Sequence, residues 1–303
     1  MSPSRRLFLG ASATGAAAAV VPASLLAEEK KPAEEPIDIS SLGKTKNTKF
    51  AVNVEMWWSK LPFMERLVKA AEFGFPAVEI WPYQNKDVPA VAKLCKEKKI
   101  DIAQFSAWGF EPGMNNPANE EKCVKQIEEA CGIAHQWSCN KMCVVAGNNQ
   151  KGMTKEEMHA QVTKVLKRVA PIAEREKVML ILEPMNGRVD HPGHCLYGTE
   201  DAVKICRAVS SPMVKVLFDL YHAQIAEGDL CGHLKDGVDQ LGYVQIADHP
   251  GRNEPGTGEI YYPRVMRQLK DLGYTGYVGL ELVPKDGNSL AAALAVKQMD
   301  AAW

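Results

Sequence analysis

Four oxygen-bearing side chains, Glu183, Asp219, Gln245 and Glu281, close four short apolar runs, separated by 36, 26 and 36 residues. Three carboxylates and an amide brought to one point raise one another's pKa unless a cation neutralises them. A donor set made only of oxygen favours a hard ion, Mg²⁺ or Mn²⁺, with Co²⁺ as a substitute in vitro. Zinc would call for His or Cys among the ligands. Taken singly, each residue has a plainer reading: Glu183 or Asp219 could cap the helix that follows it. Four polar residues closing four successive apolar runs favour a shared site.

The elements that must position them alternate along the chain. Apolar, β-branched runs predict strands at Phe50–Glu55, Ala77–Trp81, Ile100–Ser106, Lys141–Ala146, Val178–Glu183, Val214–Asp219, Tyr243–Ala247 and Tyr277–Glu281. Amphipathic periods between them predict helices such as Phe63–Phe73, Val88–Lys98, Glu120–Gln136, Lys155–Glu176, Glu200–Val209, Tyr262–Leu272 and Ser289–Ala301. Continuous apolar strands alternating with helices imply a parallel sheet buried on both faces. Eight such units predict an α/β protein, a single-domain (β/α)₈ TIM barrel over residues 48–303. No G-x-G-x-x-G follows the first strand, and no phosphate-binding G-x-x-x-x-G-K-[ST] occurs. In a barrel, chemistry gathers at the C-terminal strand ends. Adjacent strands lie about 4.8 Å apart there, close enough for the four side chains to converge.

Composition narrows the function classes. Lys and Arg number 36 against 37 Asp and Glu, a net charge of −1, which leaves no basic excess for binding a phosphate backbone. A 46% hydrophobic chain is a packed protein rather than a disordered one. Its eight cysteines (95, 123, 131, 139, 143, 195, 206 and 231) contain no CxxC pair and read as small buried apolar groups. The string Ser4-Arg5-Arg6-Leu7-Phe8-Leu9 and the Ala-rich run to Ala27 resemble a twin-arginine export signal, with cleavage after Ala23 or Ala27. An exported, extracytoplasmic protein is expected, membrane-anchored if uncleaved. Residues 28–47, rich in Lys, Glu, Pro, Ser and Thr, are expected to be a linker.

Around the four candidate ligands stand longer strings. They are Leu180-Ile181-Leu182-Glu183-Pro184-Met185-Asn186, Asp190-His191-Pro192-Gly193-His194, Phe218-Asp219-Leu220-Tyr221-His222, Val244-Gln245-Ile246-Ala247-Asp248 running on through Arg252 to Glu259, and Gly279-Leu280-Glu281. In this order they resemble the hydroxypyruvate isomerase family, within the xylose isomerase-like barrels. The resemblance implies that Glu183, Asp219, Gln245 and Glu281 bind a divalent metal. It further implies that Glu183 and Glu281 act as the acid/base pair, and that His222, Arg252 and Asp190 contact substrate. The implied reaction interconverts 3-hydroxypyruvate and 2-hydroxy-3-oxopropanoate through an enediolate. Such proton transfer needs a Lewis acid at the carbonyl and a carboxylate on each side of the substrate, and a guanidinium suits its carboxylate. A homodimer or tetramer is also implied.

The chain departs from the family's pattern in two places. Gly187-Arg188-Val189 is one residue longer than usual, and Trp108–Asn119 differs throughout. The nearest alternative is a ketose 3-epimerase or other sugar isomerase on the same fold, whose members usually carry His where this chain has Gln245. A second alternative, from another class, is an exported sugar- or acid-binding protein without catalysis. Asn253–Glu259 reads equally as a closing lid and as a plain connection. Trp57, Trp58, Trp81, Tyr83 and Trp108 stand near the first three strand ends, as pocket wall or as core.

Overall fold

The computed structural model describes residues 37–303. The expected signal, residues 1–27, and the first part of the expected linker lie outside the described residues. Among the described residues no helix is long and apolar enough to cross a membrane.

Eight parallel strands close into a barrel in sequence order. They are β1 (Lys49–Asn53), β2 (Ala77–Ile80), β3 (Asp101–Trp108), β4 (Lys141–Val145), β5 (Met179–Glu183), β6 (Val214–Asp219), β7 (Leu241–Ile246) and β8 (Tyr277–Leu280). Closure comes from β8 pairing with β1, Val278 opposite Phe50. Small residues fill much of the interior: Ala51, Ala77, Ala103 and Cys143, with Ile181, Leu217 and Tyr243. The outward faces carry Val52, Val78, Val144 and Val216 into the layer beneath the helices. Both faces are therefore dry, as parallel strands require.

Between the strands run α1 (Phe63–Glu72), α2 (Val88–Lys98), α3 (Glu120–Gln136), α4 (Lys155–Glu176), α5 (Thr199–Val209), α6 (Leu220–Ala226), α7 (Leu230–Asp236), α8 (Tyr262–Asp271) and α9 (Ser289–Ala301). Helix starts are set by capping side chains. Asp87 accepts from Ala90 N–H before α2, and Asn288 from Ala291 N–H before α9. Thr154 and Glu157 form a reciprocal capping box at α4. The sixth crossover differs from expectation: it is two short helices, α6 and α7, broken at Gly228 (φ 68°) and Asp229 (φ 40°).

A second difference concerns residues 38–47, expected to be linker, which are packed onto the barrel. Leu42 is 2% exposed. Gly43 N–H donates to Phe73 O at 2.7 Å. The fully buried Asp300 carboxylate accepts the N–H groups of Lys46 and Asn47 at 2.9 and 2.8 Å. Polar composition described a loop here, and the loop is tied down by hydrogen bonds that composition does not reveal.

Candidate active site

Glu183 is the last residue of β5 and Asp219 the last of β6. Gln245 is paired with Asp219 in the sheet register, and Glu281 follows β8 by one residue. Strand ends thus deliver all four to the C-terminal mouth of the barrel. One ligand atom each from Glu183, Asp219, Glu281 and His222 lies within 4.8 Å of the others, a buried cluster that could hold a metal ion.

Two buried oxygens test that fit. Asp219 Oδ1 accepts the N–H groups of Tyr221 and His222 and so caps α6, while Oδ2 is buried without a hydrogen-bond partner. Gln245 Nε2 donates to both carboxylate oxygens of Glu79, at 3.2 and 3.3 Å, leaving its amide Oε1 buried and unpartnered. Unsatisfied buried acceptors are costly, and a cation is what two acceptors beside two carboxylates lack. The oxygen donors fit a hard divalent ion.

Electrostatics agree. Burial, then the charges of Glu281 and Asp219, push the Glu183 carboxyl well above the usual carboxylate range. Burial raises Glu281, with Arg252 opposing it, and burial also raises Asp219 against the same arginine. Arg252 lies among them. Its Nη2 donates to Glu281 Oε2 and stands 3.6 Å from Asp219 Oδ2, and its guanidinium lies 5.0 Å over the Tyr221 ring.

Both ring nitrogens of His222 are engaged. Asn186 Oδ1 accepts from Val189 and Asp190 N–H, which turns its Nδ2 towards Asp190 Oδ2 (2.7 Å) and His222 Nδ1 (2.6 Å). Nε2 stands 3.4 Å from Arg252 Nη2, a group that only donates, and 3.5 Å from Asp219 Oδ2, so both ring nitrogens meet hydrogen-bond donors. Burial and the Arg252 charge hold the ring neutral, well below its ordinary pKa. His222 therefore meets the site as an uncharged ring. It also packs on Tyr221, ring centroids 5.4 Å apart.

Asp190 is not brought to the cavity wall. Burial works against its charge, and hydrogen bonds from Asn186 and Tyr221 outweigh that and lower its pKa. Its contact is with Asn186, so it acts on the site through His222.

Three residues escaped the sequence reading. Glu79, fully buried in β2, holds Gln245, and its pKa is pushed up to about 8 by burial and Glu281. Gly279 makes room for it: a Cβ there would lie 2.1 Å from Glu79 Oε1. A glutamate inside an otherwise apolar strand was the available signal. Asn186 stood in the motif without a role. Cys143 donates its thiol to Glu183 Oε2 at 3.2 Å. The other cysteines are also free, and all but Cys231 are buried.

The stretch Asn253–Glu259 is a pinned connection. Buried Asp248 accepts the N–H groups of Gly256 and Gly258 on Oδ2 and of His249 and Ile260 on Oδ1, at 2.8–3.0 Å. Of the aromatic group, Trp81 and Trp108 line the cavity, while Trp57 and Tyr83 pack in the core.

The sequence model described as "Xylose isomerase-like TIM barrel" matches residues 67–299. The chain belongs to that family. Within it, the chain is 31% identical to hydroxypyruvate isomerase of Escherichia coli, over 78% of this chain and 94% of that one. It is 33% identical to 2-oxo-tetronate isomerase of Cupriavidus necator, over 80% and 95%. Among solved structures it resembles an AP endonuclease, family 2, from Brucella melitensis, with a TM-score of 0.75 and 27% identity over 81% and 98% of the two chains. The two named isomerases, matched over most of the chain, make the protein an isomerase of the sugar or keto-acid type.

Proposed function

We propose that the protein interconverts a 2-oxo-3-hydroxy acid and its 2-hydroxy-3-oxo isomer, with hydroxypyruvate as the shortest substrate, at a Mg²⁺ or Mn²⁺ centre. The carrying observation is the buried, unpartnered Asp219 Oδ2 in one cluster with Glu183 and Glu281, with Gln245 Oε1 a second orphaned oxygen on the paired strand. A divalent ion held by these four side chains would supply Lewis-acid polarisation of the substrate's carbonyl and hydroxyl oxygens. Glu183 and Glu281 enter from β5 and from the end of β8, different sides of the ring. One takes the proton from C3, the other returns a proton to C2, and the hydroxyl proton passes from O3 to O2. Trp81 Nε1–H donates to Glu281 Oε1 at 2.9 Å and fixes that carboxylate. His222 lines the cavity beside the acid/base pair, and Arg252 is placed to hold the substrate carboxylate. The Ser4–Leu9 string supports export as part of this reading, tested by the chain's appearance in the extracytoplasmic fraction.

The test is NMR of Mn²⁺-loaded protein with hydroxypyruvate in D₂O beside an EDTA-treated control. Metal-dependent formation of 2-hydroxy-3-oxopropanoate with deuterium at C2 is expected, and Glu183→Gln or Glu281→Gln should lower kcat about 10²–10⁴-fold. Turnover that survives both EDTA and these substitutions would overturn the assignment.

A further inference from the structure

The cavity above the four ligands measures about 620 Å³. Liquid water occupies about 30 Å³ per molecule, so this space equals about twenty waters, several times what a three-carbon acid displaces. Its inner part is the charged site. Beyond Trp81, which bonds to Glu281, the lining changes to Pro82, Phe110 and Pro112, with Gln126 and the exposed Lys122. Phe110 is braced: its ring stacks on His191 at 4.7 Å and 22°, and meets His194 edge-on at 5.5 Å. Gln126 is braced too, its Nε2 donating to Ala107 O at 2.6 Å, which leaves its Oε1 as an acceptor. Trp108, 1% exposed, lines the same space with an unpartnered indole N–H.

We infer that this outer chamber is a subsite for a polyhydroxylated tail, and that the substrate is a 2-oxo-3-hydroxy acid of five or six carbons. This rests on the reading given under Proposed function. With the C1 carboxylate at Arg252 and C2–C3 at the acid/base pair, the substituent on C3 has the outer chamber as its exit. Aromatic and proline faces pack against the C–H faces of such a chain, and a rim of amide and ammonium groups meets its hydroxyls. The bond changes are those already described: hydrogen leaves C3 and arrives at C2, with no external oxidant or reductant.

The test is kcat/KM of the Mn²⁺-loaded protein across hydroxypyruvate, 2-oxo-tetronate, 2-oxo-pentonate and 2-oxo-gluconate, with both C3 configurations where they exist. A rise of at least tenfold from the three-carbon to the five- or six-carbon acid is expected. Phe110→Ala should cut that long-to-short ratio at least tenfold, and the exposed Lys122→Ala, which threatens no core, should cut it several-fold. Gluconate should quench tryptophan fluorescence at concentrations where glycerate does not. A kcat/KM that falls with chain length, a ratio unmoved by both substitutions, or equal quenching by gluconate and glycerate overturns the subsite while leaving the isomerase reading intact. Absence of turnover with every acid, metal bound, overturns the isomerase substrate reading itself and the subsite with it.

Discussion

Asp219 uses its two oxygens differently. Oδ1 caps α6 and Oδ2 lies in the buried cluster, so capping leaves the second oxygen free for a shared site. Gln245 is arranged in the same spirit, its amide N–H groups anchored on Glu79 so that the carbonyl oxygen is left for the site. Outer partners of this kind set ligand orientation. Glu79→Ala should weaken Mn²⁺ binding about 10–100-fold by calorimetry with the far-UV spectrum unchanged, and Glu79→Gln should recover part of the loss. Gln245 was legible as a candidate through the motif around it, and Glu183, Asp219 and Glu281 because each closes an apolar run. Glu79 was not, because it sits within one, and Cys143 looked like any small apolar residue. His194 carries a pH effect. Burial, with the charges of His191 and His159, lowers its pKa from 6.5 to about 3. The native state then binds fewer protons than the unfolded chain between those values. The stability it confers is therefore complete above about pH 6.5 and lost as pH falls, on the order of 4 kcal/mol in full. In urea titrations between pH 6.5 and 4, His194→Phe should flatten the acid decline of unfolding free energy relative to the parent.

At the scale of elements, Arg252 rides on a loop held by one carboxylate. Asp248 gathers four backbone N–H groups across residues 249–260, and Arg252, at φ 55°, accepts Val283 N–H on its own carbonyl at 2.9 Å. Asp248→Ala leaves those donors without their acceptor, each costing about 1–3 kcal/mol if unsatisfied. A loss of at least about 3 kcal/mol in chemical denaturation is expected, with KM for the acid substrate rising more than kcat falls. The glycines at 256 and 258 suggested mobility, but the buried acid that ties them could be assigned no partner in sequence alone. Helices α2, α3, α4 and α9 lie where they were expected, an amphipathic stripe and a cap marking face and start in α2 and α4. Most strand ends shift by one or two residues, since strands buried on both faces lack the alternation that fixes a boundary. Helices α6 and α7 were missed because each is too short to show a period.

At the scale of the whole molecule, the barrel is completed at its N-terminal face by residues 38–47 and by the end of α9. Asn47 Nδ2 donates to Asp300 O and Trp303 O at 2.7 and 3.0 Å, and Gly43 N–H bonds to the turn that leads into β2. A chain starting at Thr48 would expose the pocket of Leu42 and strip Asp300 of two donors. Compared with one starting at Asp38, it should be less stable by about 3 kcal/mol and melt several degrees lower by calorimetry. The eightfold strand–helix rhythm made the barrel readable; this closing strap was not, because its contacts join residues more than 250 positions apart. Both ends of the packed chain thus lie behind the barrel, across from the cavity mouth. A resin, dye or fused protein joined at Asp38 or Trp303 would leave the mouth facing open solution, so either end offers a handle for anchoring working copies at high density without crowding substrate entry.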